Sequence, residues 1–82
     1  MNEKITQEDL DLVNQLRISL ASNRKVIRQL EAIGKKIWTQ EILDSIFDPK
    51  DTCLCSNNRR MLYKQKFYIK WDELITEANS IL

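Results

Sequence analysis

From Thr6 to Ile33 the chain has neither glycine nor proline, and its only glycine, Gly34, follows at once. Nothing in that stretch interrupts a helical hydrogen-bond ladder or demands a turn, so it predicts one long helix or two helices end to end. Its start has a mechanism. Thr6 offers an N-cap hydroxyl, and Asp9, three residues on, offers a carboxylate that can reach back to the free amides of the first turn. Glu8, Asp9 and Asp11 also set negative charge at the positive end of the helix dipole.

Downstream, Val13, Leu16, Leu20, Ile27 and Leu30 recur at helical spacing and fall on one side. Leu12, Val26 and Ile33 widen the stripe. Such a stripe is either intramolecular core or a seam between copies of the chain in a homo-oligomer. Asn23, just after Ser22, occupies the gap where the pattern wants an apolar residue. It marks a second helix start or kink, or it is a polar residue in the seam that sets register. The residues leave one helix and two helices both open.

Gly34 suits a helix C-cap, where a left-handed backbone costs a residue without a Cβ little, and Lys35 and Lys36 complement the negative helix end. Trp38 then precedes Thr39, a second cap, and Ile42, Leu43, Ile46 and Phe47 form a short amphipathic helix across 39–48, closed by Asp48 and Pro49. Trp38 is placed to staple onto Leu43. Residues 51–71 admit two readings. As a helix, Tyr63, Phe67, Trp71, Leu74 and Ala78 align, but Arg60 and Lys64 intrude on the stripe while Leu62 and Ile69 point away. As a hairpin turning at Asn57 and Asn58, Leu54, Met61, Tyr63, Phe67, Ile69 and Trp71 share one face and Arg60, Lys64, Lys66 and Lys70 the other. The alternation and the aromatic content favour strands. A final helix over 72–82 is capped by Asp72, with Trp71, Leu74, Ile75, Ala78 and Ile81 facing inward. The expected fold is mainly α with a small β-hairpin, an α+β single domain; the alternative is all-α.

At 82 residues this is one small domain whose stability is marginal without a staple or a partner, although 43% hydrophobic residues can build a core. No apolar run approaches the roughly 20 residues of a membrane span, and the acidic N-terminus is unlike a signal peptide. The expected location is cytoplasmic. Histidine is absent, which removes the commonest general base and metal ligand. Cys53 and Cys55 are too few for a zinc site within one chain, and their spacing is poor for a structural bridge. Two thiols suit a reducing compartment. A nucleophilic cysteine needs neighbouring cations; Arg59 and Arg60 are near in sequence, but no base or oxyanion donor accompanies them. No glycine-rich loop cradles phosphate. The chain is expected to be no enzyme and to use no cofactor or metal.

What remains is binding. The net charge of +1 conceals a basic segment from Lys50 to Lys70 in which Asp51 is the only acidic residue. The candidate contact residues are Arg24, Lys25 and Arg28 in the long stretch and Arg59, Arg60, Lys64, Lys66 and Lys70 on the hairpin, with Tyr68 as an aromatic anchor among them. These point to a small regulator or adaptor that takes a protein partner with an acidic surface. The alternative is a winged-helix nucleic-acid binder, whose order of helices and hairpin the chain would share. Its third helix, Thr39 to Asp48, carries Glu41, Asp44 and Asp48 and no cation, which repels phosphate.

Overall fold

The computed structural model describes the backbone of residues 5–80 and the side chains of 5–77. It contains four helices: α1 (Gln7–Ile18), α2 (Arg24–Ile37), α3 (Gln40–Ile46) and α4 (Asn57–Ser80). Thr6 and Asp9 form a reciprocal capping box on α1, with both hydrogen bonds at 3.2 Å. The Gly/Pro-free stretch is therefore two helices. Asn23 ends the ambiguity, because its side-chain oxygen accepts from the Val26 amide at 3.0 Å and caps α2. Thr39 caps α3 in the same way, accepting from Ile42 N at 3.4 Å.

The break between α1 and α2 divides the expected seam. Val13, Ile27 and Leu30 are buried within the chain's own core, Leu16 packs partly against it, and Leu20 stands wholly exposed in the connection. The stripe is intramolecular core for the residues that remain helical. Leu20 leaves it because Ser19 adopts an extended backbone and ends α1.

The expected hairpin is not formed. No strand occurs among the described residues; residues 51–56 form the connection after α3, and α4 runs unbroken from Asn57 through the rest of the segment, as in the all-α alternative. The physical reason lies in the two cations that spoiled the helical stripe. Arg60 Nε donates to the Ser22 carbonyl at 2.9 Å and its Nη1 to the Leu54 carbonyl at 2.5 Å. Lys64 Nζ donates to the carbonyls of Ser19 and Ala21 at 2.7 and 2.8 Å. Helix ends leave carbonyls without intrahelical partners, and here α4 supplies those partners to the end of α1 and to the turn that follows. The cations belong on the inward side of α4. Tyr63, Phe67 and Trp71 are buried beside them, while Leu62 and Ile69 face outward. β-Propensity spans only about 1 kcal/mol per residue and yields readily to such tertiary contacts. Of the residues expected to face inward further along, Trp71 is buried but Ile75 is exposed, and the Ala78 side chain and Ile81 lie outside the described residues.

Gly34 is also placed differently. It is not the C-cap; α2 continues to Ile37, and no described glycine has positive φ. A Cβ at Gly34 would meet Leu43 Cδ2 at 2.9 Å and Trp38 Cε3 at 3.1 Å, so the missing side chain lets α3 and Trp38 close onto α2. Lys36, beyond it, ties the end of α2 to the start of α1 through Asp9 at 2.8 Å.

Phe67 sits at the centre of the core with no exposed surface. The Trp38 ring meets it edge-on at 5.2 Å, Tyr68 edge-on at 5.3 Å, Trp71 stacks at 5.9 Å and Phe47 lies tilted at 6.5 Å. Edge and offset arrangements of this kind are the favoured geometries of aromatic rings. Among the described residues no helix is long and apolar enough to cross a membrane.

Candidate functional site

An open concavity of about 530 Å³ lies where the α1–α2 connection crosses the middle of α4, lined by Arg17, Leu20, Met61, Lys64, Tyr68, Ile69 and Asp72 with the intervening polar residues. Leu20 is 100% exposed, and Met61 and Ile69 present about half of their surfaces. Single exposed leucines are ordinary, but three apolar side chains around one groove form a patch that water covers poorly.

One end of the groove is charged. Arg17 grips Asp72 through two parallel bonds of 2.7 Å, and its guanidinium lies 5.1 Å from the centre of the Tyr68 ring. Planar, two-point pairing of this kind fixes direction as well as charge. The Arg17 guanidinium holds the Asp72 carboxyl below its ordinary range. Lys64, committed to the two carbonyls, has its pKa lowered by burial.

Tyr68 is not the solvent-facing anchor that a hairpin would have made it. It is 8% exposed, and its hydroxyl donates to the Val13 carbonyl at 2.7 Å. Burial pushes the phenol up to about 12, with Arg17 opposing. Tyr63, whose hydroxyl donates to Asp51 Oδ2 at 2.7 Å, is likewise pushed to about 12 by burial and by that carboxylate. Both phenols hold their protons more tightly folded than unfolded, where the value is near 10. Their contribution to stability is therefore complete below pH 10 and lost as pH rises through 12. Lys64 acts in the opposite sense, so the useful comparison is between variants. Tyr68→Phe is expected to show a shallower alkaline decline in urea-melt stability than wild type between pH 10 and 12, while phenolate absorbance in the wild type rises only above pH 10. A decline equally steep in the variant contradicts this assignment.

The other candidate contacts are scattered. Arg24 and Lys25 stand at the N-terminus of α2 and share a shallow depression with Asn23, Cys55 and Arg60. Arg28 lies one turn on, facing the segment around Phe47 and Pro49. Arg59 and Lys66 are exposed on α4, and Lys70 pairs with Glu73 at 3.5 Å. Arg60 and Lys64 are structural, as described above. The structure thus dissolves the single cationic face and brings Leu20 together with Met61 and Ile69, which periodicity had assigned to different surfaces. Arg17 was not singled out from sequence, and Asp72, expected to cap a separate final helix, lies instead inside the continuous α4. Their pairing spans 55 positions and leaves no local trace.

Cys53 and Cys55 are exposed in the α3–α4 connection and are bonded to each other through sulfur. Among the described residues no group of three or more His, Cys, Asp or Glu is placed to hold a metal ion. Scanned against models of protein families, and searched against curated proteins and solved structures, the chain matches none.

Proposed function

We propose that this protein is a non-enzymatic regulator or adaptor that holds a protein partner in the groove between the α1–α2 connection and α4. The observation that carries the reading is Leu20, a fully exposed leucine that lines one groove with Met61 and Ile69. Its connection is tied to α4: Lys64 bonds two of its carbonyls and Arg60 a third, so the backbone that carries Leu20 is held in place. Preorganised apolar groups of this kind bind without a large ordering cost. Arg59 and Lys66 are exposed on α4 but do not line the groove, so for an acidic partner they would speed approach more than strengthen its hold. The nucleic-acid alternative is not favoured by any contact, since its wing is absent among the described residues and α3 carries Glu41 and Asp44 without a cation.

A photo-crosslinking residue at position 20, compared with one at Glu41 on α3, tests this. In extract of the native host, position 20 is expected to give a discrete protein adduct that Ile69→Asp abolishes, while position 41 gives none. Circular dichroism of the variants should match wild type, because all three altered side chains are solvent-facing. Equal labelling at the two positions, or adducts indifferent to Ile69→Asp, refutes the groove.

A further inference from the structure

The cysteine pair stands apart from the groove and from the reading above. Two residues of extended backbone would hold alternate Cα atoms about 7 Å apart, at the outer limit for a disulfide. Here Cys53 and Cys55 are 5.2 Å apart, because Leu54 between them takes a left-handed backbone with φ 53°. That conformation costs a leucine on the order of 1–2 kcal/mol and persists only where its surroundings enforce it. Three contacts do so. The Leu54 amide donates to Asp51 Oδ1 at 3.2 Å, its carbonyl accepts from Arg60, and its side chain packs on the core. The fold therefore holds two exposed cysteines in bonding register.

The two sulfurs are not equivalent. Arg24 Nη2 lies 3.6 Å from Cys55 Sγ. The depression that takes Cys55 is otherwise lined by Asn23, Arg24, Lys25 and Arg60, with no acidic side chain. Cys55 also directly precedes Ser56, whose hydroxyl and carbonyl accept from the Arg59 and Arg60 amides in the first turn of α4. Cations and a helix N-terminus favour a thiolate over a thiol.

We propose that Cys53 and Cys55 form a thiol–disulfide exchange site for low-molecular-weight disulfides, with Cys55 attacking and Cys53 resolving. The Cys55 thiolate attacks one sulfur of R–S–S–R, that S–S bond breaks, and the first RS⁻ leaves and takes a proton from solvent. Cys53 then loses its proton to solvent and attacks Cys55 Sγ, and the second RS⁻ leaves and is protonated. Two protein thiols are oxidised to one disulfide while R–S–S–R is reduced to two RSH. Cys55 is the reactive member because the cations lie beside it. Leu54 keeps the resolving thiol within reach.

The test uses the full chain, reduced and then exposed at pH 7 to oxidised glutathione as the probe, with products followed by mass spectrometry. Wild type is expected to close to the internal disulfide with little mixed species. Cys53→Ser should accumulate a stable glutathione adduct on Cys55, and Cys55→Ser should react at Cys53 about tenfold more slowly. Arg24→Gln should slow the Cys55 reaction several-fold without altering the circular dichroism spectrum. Equal rates for the two single-cysteine variants, an unchanged rate with Arg24→Gln, or a wild type that carries two glutathiones and no internal bond each overturn the proposal.

Discussion

Phe67→Ala is expected to remove about 3–5 kcal/mol of stability, the usual cost of emptying a fully buried phenylalanine site. For a chain of this length the whole folding free energy is roughly 4–12 kcal/mol. One side chain therefore decides whether the domain is folded at 25 °C. The effect sits at the upper end because the site cannot collapse easily: Phe67 is surrounded by Trp38, Phe47, Tyr68 and Trp71 rings contributed by three different segments. Removing it strips each of those rings of a neighbour at once. Urea unfolding followed by fluorescence of Trp38 and Trp71 and by far-ultraviolet circular dichroism gives the measurement. Phe67→Leu, which keeps most of the volume, should cost about 1.5 kcal/mol or less, and Leu62→Ala, on the outer face of α4, within about 0.5 kcal/mol. A Phe67→Ala protein as stable as Leu62→Ala would mean that α4 does not pack as described.

The second large effect separates two adjacent arginines that sequence treats alike. Arg60→Glu is expected to cost at least about 3 kcal/mol. It removes two charge-assisted hydrogen bonds, each worth about 1.5–3 kcal/mol, and leaves the Ser22 and Leu54 carbonyls facing a carboxylate. Arg59→Glu should stay within about 0.5 kcal/mol of wild type, because that side chain is exposed on the first turn of α4. A new carboxylate at a helix N-terminus is electrostatically welcome, which offsets any loss. Paired urea melts at moderate salt distinguish the two. If both charge reversals prove neutral, Arg60 does not bridge the α1–α2 connection to α4. If both destabilise equally, the cost comes from net charge rather than from the two carbonyls. The contrast also decides which arginine is fit for binding experiments, since loss of a complex with Arg60→Glu would report on folding.

The features of this chain that residue pattern alone decides are those whose donor and acceptor lie within a turn. The capping box of Thr6 and Asp9 and the cap at Thr39 each close over three residues, so the pattern alone marks them, whereas Asn23 stayed open between a cap and a polar seam position until the structure showed it capping α2. The helical period of Val13, Ile27, Leu30 and Ile33 likewise marks residues that the core buries. Their burial follows from spacing because a helix displays every third or fourth side chain on one side.

Tertiary structure decided the rest, and always through partners distant in sequence. Arg60 reaches across 38 positions to Ser22, Lys64 across 45 to Ser19, and Tyr68 across 55 to Val13. Arg60 and Lys64 looked misplaced on an apolar helical stripe, which made strands the better account of residues 51–71 and put Tyr68 on a solvent-facing side. The stripe is sound once the orphan carbonyls at the end of α1 and in the following turn are brought against it, because a buried cation or hydroxyl that meets an acceptor no longer carries the penalty of burial. Gly34 follows the same logic. Its glycine is required by the approach of Leu43 and Trp38, not by its own backbone angles, and no local pattern carries that information. The groove under Leu20 is a product of the same long-range closure: α1 had to end at Ser19, and α4 had to cross beneath, before three separated apolar residues became one surface.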